Sequence, residues 1–396
     1  MQYRIDKKTG HQLSILGFGC MRFPKTLTQV DVKRTEQLIL KAIEEGVNYF
    51  DTAYIYGGSE DTLGAILAKN NLRNKVFLAT KLPLGACKAY PDFESLFRKQ
   101  LASLHTDYID YYLMHNMGDT QVWERLCATG IEQWIREKKE SGQIKNIGFS
   151  FHGIHGEFIK LLDIYEWDFC QIQYNYININ YQAGRAGLKR AAEKGLSVVI
   201  MEPLLGGKLA TGLPKKARSL FKASHGSRSP AAWALRWLWN QEEVTVVLSG
   251  MNEMTQLEEN LITAKDAFPN MLSEKENETY KSVIQIIEDS YKVACTGCNY
   301  CMPCPKNVNI PACFAAYNAL YTVGFVSGMF LYVTSTGFLN SLKNYAASNC
   351  VSCGACEQKC PQHIPIIQSL KKVKRKMEPF WLRTVLKLFM KLRGFR

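Results

Sequence analysis

The sequence predicts a parallel (β/α)8 barrel, followed by a small cysteine-rich domain and a basic tail. Strand-like and helix-like segments alternate from the start of the chain to about residue 250, and they form eight pairs. Most of the strand-like segments are continuous apolar runs, which is typical of parallel strands covered on both faces. Eight such pairs favour a closed barrel, and a doubly wound open sheet is the weaker alternative.

The predicted elements follow in chain order. Strands are predicted at 15–21, 47–52, 76–81, 108–115, 146–150, 169–174, 198–202 and 244–250. Helix-like segments between them include 32–45, 93–104, 122–141, 186–194 and 230–239. A further helix at 273–292 leads into the cysteine-rich part, so we expect a barrel at 1–290, a cysteine domain at 291–370 and a tail at 371–396.

Length and composition suit this division. The chain has 396 residues and is 46% hydrophobic, which is enough for a barrel of about 250 residues with an appendage. Its first twenty residues lack the long apolar core of a signal peptide, so we expect a cytoplasmic protein. Thiols stay reduced in that compartment, and clustered cysteines there indicate metal ligands rather than disulfides. Scattered cysteines are expected to be small buried hydrophobes: Cys20, Cys87, Cys127, Cys170 and Cys313.

The positive charge is concentrated in the tail. Residues 371–396 hold ten Lys or Arg and one acid, Glu378, so +9 of the net charge of +13 lies there. The basic character therefore does not indicate a nucleic-acid face on the barrel. A helix at 380–393 would place Arg383 and Lys387 on a narrow polar stripe and leave Trp381 on a wide apolar face. Such a helix suits peripheral contact with an anionic inner-membrane surface, or equally docking on the protein itself or a partner.

Four polar side chains follow three of the first predicted strands. Asp51 and Tyr56 lie in DTAYIYGGSE, Lys81 ends VFLATK, and His115 ends YIDYYLMH. The carboxyl ends of barrel strands converge on one face, so we expect these side chains to share one pocket. This set suits carbonyl reduction. Asp51 would hold Lys81 charged, Lys81 would lower the pKa of the Tyr56 phenol from its usual value near ~10, and His115 would orient the carbonyl oxygen.

Within these strings, the four residues resemble the tetrad of the aldo/keto reductase family. No G-x-G-x-x-G motif follows a strand, and the resemblance implies a nicotinamide cofactor, NAD or NADP, that is bound without it. The cofactor contacts it implies are Ser150, Gln171, Leu204, Gly206, Gly207, Ser249, Gly250, Gln256, Glu259 and Asn260. Gln256 stands where NADP-specific members usually have a cation, and Met201 and Phe151 replace the stacking aromatic residue and the Asn of the family pattern. The choice between NAD and NADP therefore stays open.

Eight cysteines form two blocks near the end of the chain. The blocks CTGCNYCMPCP and CVSCGACEQKCP contain Cys295, Cys298, Cys301, Cys304, Cys350, Cys353, Cys356 and Cys360. The second block matches the bacterial ferredoxin run C-x2-C-x2-C-x3-C-P, in which the fourth cysteine binds the other cluster, and the first block is one residue short of it. Zinc is the competing interpretation, because paired C-x2-C motifs also build structural zinc sites.

We expect 4Fe-4S clusters in this domain, and two are favoured over one. In the two-cluster arrangement Cys295, Cys298, Cys301 and Cys360 hold one cluster, and Cys350, Cys353, Cys356 and Cys304 hold the other. A single cluster on the second block is the alternative. Residues 307–342 carry no charge, but Pro311 and several glycines and polar residues interrupt them, so helices packed around the clusters are favoured over a membrane span. The chain up to about residue 370 resembles a subgroup of the family with a ferredoxin-type extension.

Together these features predict an NAD(P)H-dependent oxidoreductase that reduces an aldehyde or ketone. The alternative is an electron-transfer protein in which the barrel is a docking or sensing scaffold. A nicotinamide gives two electrons as hydride, whereas a cluster takes one at a time, so direct exchange requires a flavin or a redox partner protein. The sequence shows no flavin motif, and structural or sensing clusters are the other interpretation.

Overall fold

The structure, a computed structural model, describes residues 1–27, 29–153, 155–295, 297, 299–337, 344–360, 363–379 and 381. The strands are β1 (Tyr3–Ile5), β2 (Gln12–Ser14), β3 (Leu16–Gly19), β4 (Lys25–Thr26), β5 (Gln29–Val30), β6 (Tyr49–Asp51), β7 (Phe77–Leu82), β8 (Ile109–Met117), β9 (Ile144–Phe151), β10 (Phe169–Gln173), β11 (Ser197–Met201) and β12 (Val246–Ser249). Strands β3 and β6 to β12 pair in parallel, each with the next in the chain, and β12 pairs with β3 to close the barrel. The predicted (β/α)8 barrel is confirmed, and each of the eight predicted strands overlaps one barrel strand.

Helices cover the barrel and continue into the cysteine domain. They are α1 (Val32–Glu44), α2 (Ser59–Lys69), α3 (Tyr90–Ser103), α4 (Thr120–Cys127), α5 (Ile131–Glu140), α6 (His155–Ile164), α7 (Gly184–Glu193), α8 (Lys208–Thr211), α9 (Lys215–Ser224), α10 (Pro230–Trp239), α11 (Met254–Lys265), α12 (Glu274–Glu288), α13 (Ile310–Thr322), α14 (Phe325–Ser335), α15 (Ala355–Gln358) and α16 (Ile366–Met377). None of the helices in these described residues is long and apolar enough to cross a membrane.

The prediction of one helix at 122–141 is wrong. Gly130 has a φ of +90°, a left-handed conformation that ends α4 and starts α5 in a new direction. The helix predicted at 273–292 does form, as α12, and it begins at a capping box between Ser273 and Glu276. The predicted helix at 380–393 lies outside the described residues apart from Trp381.

Burial divides the side chains of each barrel strand into two sets. On β10, Cys170 and Ile172 pack against the surrounding helices, whereas Phe169 points into the barrel, where its ring meets Tyr111 edge-on with 5.0 Å between centroids. The hairpin β1–β2 closes the amino-terminal end of the barrel, because the Tyr111 hydroxyl donates to Asp6 Oδ2 at 2.6 Å. The opposite, carboxyl-terminal end of the strands is thus left for a site.

The cysteine domain has a core of its own. Phe314 of α13, Tyr332 of α14 and Val373 of α16 are buried together in it, and six of the eight cysteines pack against it. Residues 310–335 form the helix pair α13 and α14, as the sequence predicted for the uncharged stretch. Helix α16 runs past residue 370, and the predicted domain limits stay a prediction.

One glycine decides how closely α2 approaches the end of α3. A Cβ added at Gly64 would lie 2.3 Å from Ser103 O and 2.5 Å from Leu104 Cα, which are backbone atoms that cannot rotate away. Gly156 in α6 is also helical, but nothing lies within 4 Å of an added Cβ there. We expect Gly64→Ala to destabilise the barrel by about 1–3 kcal/mol through overpacking. We expect Gly156→Ala to leave its stability unchanged or raise it by up to about 1 kcal/mol. Denaturant midpoints followed by far-ultraviolet circular dichroism measure both effects, and equal midpoints would contradict the close packing.

Candidate active site

The structure brings the four predicted catalytic side chains together at the carboxyl ends of neighbouring strands. Asp51 ends β6, Lys81 lies near the end of β7, His115 lies near the end of β8, and Tyr56 follows β6 in the loop before α2. Lys81 Nζ is 2.6 Å from Asp51 Oδ1 and 5.2 Å from the centre of the Tyr56 ring. The rings of Tyr56 and His115 meet edge-on, with 6.2 Å between centroids.

Asp51 and Lys81 form a buried and fully compensated ion pair. Lys81 is 1% exposed, and its Nζ also donates to Thr52 O at 2.6 Å. The second carboxylate oxygen of Asp51 accepts from Gln171 Nε2 at 2.8 Å. Burial is the largest single effect and lowers the pKa of Lys81, but attraction to Asp51, the hydrogen bond to it and the nearby Tyr56 and Cys20 together make the net shift upward. Lys81 is therefore a fixed ammonium ion beneath the Tyr56 ring.

Tyr56 and His115 are both held in their neutral forms. Burial raises the pKa of Tyr56, and the Lys81 ammonium opposes this shift without reversing it. The expectation that Lys81 brings this pKa below its usual value is therefore wrong, because burial outweighs the charge. Burial lowers the pKa of His115 well below its usual value, and the nearby charges of Lys81 and His152 lower it further. At neutral pH the site thus offers a protonated phenol and an uncharged imidazole.

Two of the predicted cofactor residues are bonded next to this tetrad. Ser150 Oγ accepts from Asn116 N at 2.7 Å, and Gln171 is held by Asp51. Gln173, two residues further along β10, is completely buried in the barrel interior. Neither polar atom of its side chain has a hydrogen-bond partner within the described part of the chain. Buried amides are nearly always paired, so Gln173 offers donor and acceptor capacity to a bound group.

The other predicted cofactor residues lie in the loop after β11 and in the segment after β12, on either side of the Arg22 side chain. Leu204, Gly206 and Gly207 belong to the loop after β11, where Gly206 and Gly207 have φ of +69° and +92°. Ser249, Gly250, Gln256, Glu259 and Asn260 lie at the end of β12 and in the first half of α11. There, Asn260 Nδ2 donates to Ser249 Oγ at 3.0 Å, and Gln256 Oε1 accepts from Asn252 N at 3.1 Å.

Arg22 connects these two loops and was missed by the sequence interpretation. Its Nη1 donates to Gly206 O at 2.9 Å, and its aliphatic part lies beside Gly250. Arg22 follows the first barrel strand, so the rule that found Asp51, Lys81 and His115 would also have found it. A cation between a glycine loop and a helix N-terminus is the donor set that a dinucleotide's phosphates need, so the residues present fit a nicotinamide cofactor.

Glu202 is the second residue that the sequence interpretation missed. It follows Met201 at the end of β11 with a φ of +54°, an unusual conformation for a residue other than glycine. Burial raises the pKa of Glu202 to about 7, while Arg22 opposes the shift. The negative charge of Glu202 also raises the pKa of the Tyr56 phenol. Glu202 is therefore a carboxyl group with a pKa near neutrality whose charge acts on the proposed acid.

The cysteine blocks come together around the core of their domain. Burial raises the pKa of Cys356, and the nearby thiols of Cys350 and Cys304 raise it further, so these three lie within electrostatic reach of one another. Cys353 is exposed, and Cys298 lies outside the described residues. Cys313 is completely buried behind Cys304 and Cys350, as expected for a structural thiol.

Six of the eight cysteines pack against one core, in which both blocks take part. Among the residues that the structure describes, no three potential ligands are close enough to hold a single metal ion. Cys304 of the first block and Cys350 of the second both act electrostatically on Cys356, and the exchange of fourth ligands stays a prediction.

A short segment joins the cysteine domain to the tetrad. The Tyr181 hydroxyl donates a long hydrogen bond of 3.5 Å to Cys295 O. The next residue, Gln182, pairs through Oε1 with His152 Nδ1 at 3.1 Å. Burial lowers the pKa of His152 to about 4, and His152 lies close enough to His115 to affect its pKa. Two consecutive residues therefore contact a cysteine block on one side and a neighbour of the tetrad on the other.

The fold and the site define a (β/α)8-barrel oxidoreductase with an iron–sulfur extension. A sequence profile described as the aldo/keto reductase family matches residues 15–285, and one described as a 4Fe-4S dicluster domain matches residues 294–364. The chain belongs to the aldo/keto reductase family. The resemblance inferred from the tetrad and the cysteine motifs is confirmed.

Similar proteins agree with this assignment. An aldo-keto reductase of Mycolicibacterium vanbaalenii is 29% identical over 231 residues, which cover 57% of this chain and 76% of the relative. The uncharacterized oxidoreductase YrpG of Bacillus subtilis is 30% identical over 232 residues, which cover 53% of this chain and 68% of the relative. The structure of the aldo-keto reductase AKR11C1 from Bacillus halodurans, in its holo form, superposes with a TM-score of 0.59 at 23% identity. The superposition covers 72% of this chain and 96% of the Bacillus halodurans chain, and it supports only the fold.

The buried ion pair yields a test that does not depend on activity. Lys81→Met leaves the Asp51 carboxylate buried without its partner, and we expect a loss of about 3–5 kcal/mol in the free energy of unfolding. The double variant Asp51→Asn with Lys81→Met removes both charges and should recover most of that loss. Lys69→Met, which breaks the exposed pair with Glu36, is the matched control and should leave the denaturant midpoint nearly unchanged. A Lys81→Met variant as stable as the control would mean that the pair is not buried as described.

Proposed function

We propose that the protein catalyses NAD(P)H-dependent reduction of an aldehyde or ketone at the site of Asp51, Tyr56, Lys81 and His115. The observation that carries this proposal is the edge-on approach of the Tyr56 and His115 rings above the buried Lys81–Asp51 pair. A nicotinamide cofactor, when bound, supplies the hydride. The small-molecule carbonyl substrate has its oxygen between the Tyr56 hydroxyl and the His115 ring.

The four side chains divide the work of protonating that oxygen. Tyr56 is protonated at neutral pH because burial raises its pKa, so it donates its proton as negative charge develops on the oxygen. Lys81 stabilises the phenolate that remains, and Asp51 keeps Lys81 charged and in place. His115 is neutral, so it donates a hydrogen bond to the oxygen without adding a second positive charge.

Glu202 suits the return of the proton to Tyr56. A pKa of about 7 leaves the carboxyl group about half protonated at neutral pH, and it is partly exposed to solvent. Its charge is among those that act on the Tyr56 phenol.

The residues proposed to hold the cofactor fall into two groups. Ser150 and Gln171 lie beside the tetrad and, with the unpaired amide of Gln173, suit the carboxamide at the reactive end of the cofactor. Arg22 and the two loops that it joins suit the pyrophosphate, which NADH and NADPH share. These loop residues are Leu204, Gly206, Gly207, Ser249, Gly250, Gln256, Glu259 and Asn260.

For the cysteine domain we propose two 4Fe-4S clusters with exchanged fourth ligands. The approach of Cys304 to Cys350 and Cys356 supports this pairing, with Cys353 as the fourth ligand. Cys295, Cys298, Cys301 and Cys360 would hold the other cluster.

A second candidate function is control of the carbonyl site by the clusters. The contact of Tyr181 with Cys295, and of Gln182 with His152, favours this over an electron-transfer protein with an inert barrel. Electron delivery to the nicotinamide would require a flavin or a redox partner protein to divide the electron pair.

The reductase proposal is tested by Tyr56→Phe. We expect carbonyl turnover to fall by at least about 100-fold, because the phenol is the proton donor. NADPH and NADH affinity and the visible absorbance of the clusters should not change. Tyr54→Phe is the matched control, since Tyr54 is an exposed tyrosine two residues away in the same loop. The measurement is anaerobic nicotinamide oxidation with a panel of carbonyls. Retained turnover in Tyr56→Phe would show that the proton donor is misassigned, and cluster bleaching by nicotinamide without any carbonyl would favour the electron-transfer alternative.

The ligand exchange is tested with two cysteines of different expected roles. Cys304→Ser should lower the iron and sulfide content per chain and leave one intact cluster, because its thiolate is replaced by a poor ligand. Cys313→Ser is the matched control and should leave that content unchanged, since Cys313 is a buried thiol in neither motif. Iron and acid-labile sulfide analysis after anaerobic purification, with electron paramagnetic resonance of the reduced protein, distinguishes the two. Equal cluster content in both variants would remove Cys304 from the ligand set.

A further inference from the structure

Val323, at the carboxyl end of α13, packs against two hydrophobic clusters. One is the core of the cysteine domain, in which Phe314 of the same helix is buried. The other, here called the barrel cluster, contains Leu205 and Leu209 from the segment between β11 and α9. Within the described part of the chain, Val323 is the only hydrophobic side chain that packs against both clusters. It therefore joins the cysteine domain to the barrel.

The segment that Val323 approaches belongs to the proposed cofactor site. Residues 204–213, here called the cofactor loop, include three of the residues proposed to hold the pyrophosphate: Leu204, Gly206 and Gly207. Three leucines of the loop are buried in the barrel cluster: Leu205, Leu209 and Leu213. The loop is thus held by Arg22, through the carbonyl of Gly206, and by the cluster against which Val323 packs.

The backbone of the cofactor loop is strained at one residue other than glycine. Leu205 has a φ of +46°, in the left-handed region that favours glycine, and its side chain is 9% exposed. Such a conformation persists only where its surroundings hold it in place. Burial of the Leu205 side chain in the barrel cluster offsets this strain. The conformation of the loop therefore depends on the packing of that cluster.

A buried amide fixes α13 against the barrel. Asn318 is 2% exposed, and its Oδ1 accepts from Lys292 N and Val293 N at 2.9 and 3.0 Å. Its Nδ2 donates to Val293 O at 2.7 Å, so α13 is fastened to the segment that follows α12. Just beyond α13, a Cβ added at Gly324 would lie 3.7 Å from Lys208 Nζ of the cofactor loop. Lys208 thus lies near the carboxyl end of α13, where the helix dipole favours a cation.

We propose that Val323 is a positioning residue for the nicotinamide site, through which the cysteine domain holds the cofactor loop in the conformation that binds the pyrophosphate. When this contact is weakened, the loop leaves that conformation in a fraction of the molecules, and the affinity for the cofactor falls by the same fraction. The chemical step should not change once the cofactor is bound, because the tetrad lies on other strands and loops. This inference rests on the proposed function and assigns the cysteine domain a part in cofactor binding.

Hydrogen–deuterium exchange of the full-length, cluster-loaded protein tests the contact without any cofactor. Amides of the cofactor loop are bonded within it, as Gly207 N is to Leu204 O at 3.0 Å, so they exchange when the loop opens. Val323→Ala should speed this exchange by about threefold or more, because the packing loses two methyl groups. Val323→Ile keeps the apolar contact and should exchange as the wild type does. Val326→Ala, at a 78% exposed position of α14, is the matched control.

Dinucleotide binding, followed by quenching of tryptophan fluorescence, tests the consequence. Val323→Ala should raise the Kd of NADPH and of NADH by about threefold or more, whereas Val323→Ile and Val326→Ala should bind as the wild type does. ADP-ribose has the pyrophosphate but no nicotinamide, and its Kd should rise by the same factor. With a carbonyl substrate, KM for the cofactor should rise and kcat at saturation should stay the same. Unchanged cluster absorbance in each variant shows that the cysteine domain is folded.

The outcomes separate this inference from the reductase proposal. Equal loop exchange, or equal Kd for the dinucleotides, in Val323→Ala and Val326→Ala would overturn the inference and leave the reductase proposal in place. So would a loss of NADPH affinity that ADP-ribose does not share, because the contact would then act on the carboxamide residues. A wild-type protein that binds none of the three ligands would overturn both proposals, even if loop exchange responds as expected.

Discussion

The buried ion pair of Lys81 and Asp51 is the constraint on which the site depends. A charge in the barrel interior is tolerated only when its partners are fixed, and here they come from β6, the residue after it, β7 and β10. The same bonds set the relative positions of three strand ends at the mouth of the barrel. The Lys81–Asp51 pair therefore both supports the proposed reaction and holds the barrel strands in place. Gln171 contributes by positioning Asp51.

Burial and that single ammonium ion together set the state of the two aromatic neighbours, Tyr56 and His115. Burial acts in opposite directions on a phenol and an imidazole, raising the pKa of Tyr56 and lowering that of His115, so both are uncharged before reaction. Lys81 lowers both values, since it favours phenolate and opposes imidazolium. The site is therefore prepared for negative charge, whether that charge is on the substrate oxygen or on the phenolate left after proton transfer.

The sequence predicted the features that depend on local residue patterns. It missed those that depend on how deeply a side chain is buried, or on contacts between distant segments. Continuous apolar runs identified every barrel strand, and the position of Asp51, Lys81 and His115 at strand ends identified the site. The net pKa shift of Tyr56 was predicted in the wrong direction, because burial is a property of the folded barrel and not of the DTAYIYGGSE string. The break at Gly130 was missed because an isolated glycine is compatible with a helix until its backbone conformation is known. The approach of Tyr181 to Cys295 joins residues more than a hundred positions apart, and no spacing rule indicates it.

The contact between the cysteine domain and the barrel bears on how clusters and a hydride site coexist in one chain. A hydride carries two electrons and a cluster accepts one, so a hydrogen-bonded segment does not solve the electron mismatch. Such a segment instead links the positions of the side chains that it contacts at its two ends. Tyr181 is bonded to Cys295 O, and Gln182 next to it is bonded to His152, which lies close to His115. These contacts end next to the residue that orients the carbonyl oxygen in the proposed reaction. The proposed control of the carbonyl site by the clusters rests on these contacts and requires no exchange of electrons, as a sensing domain would.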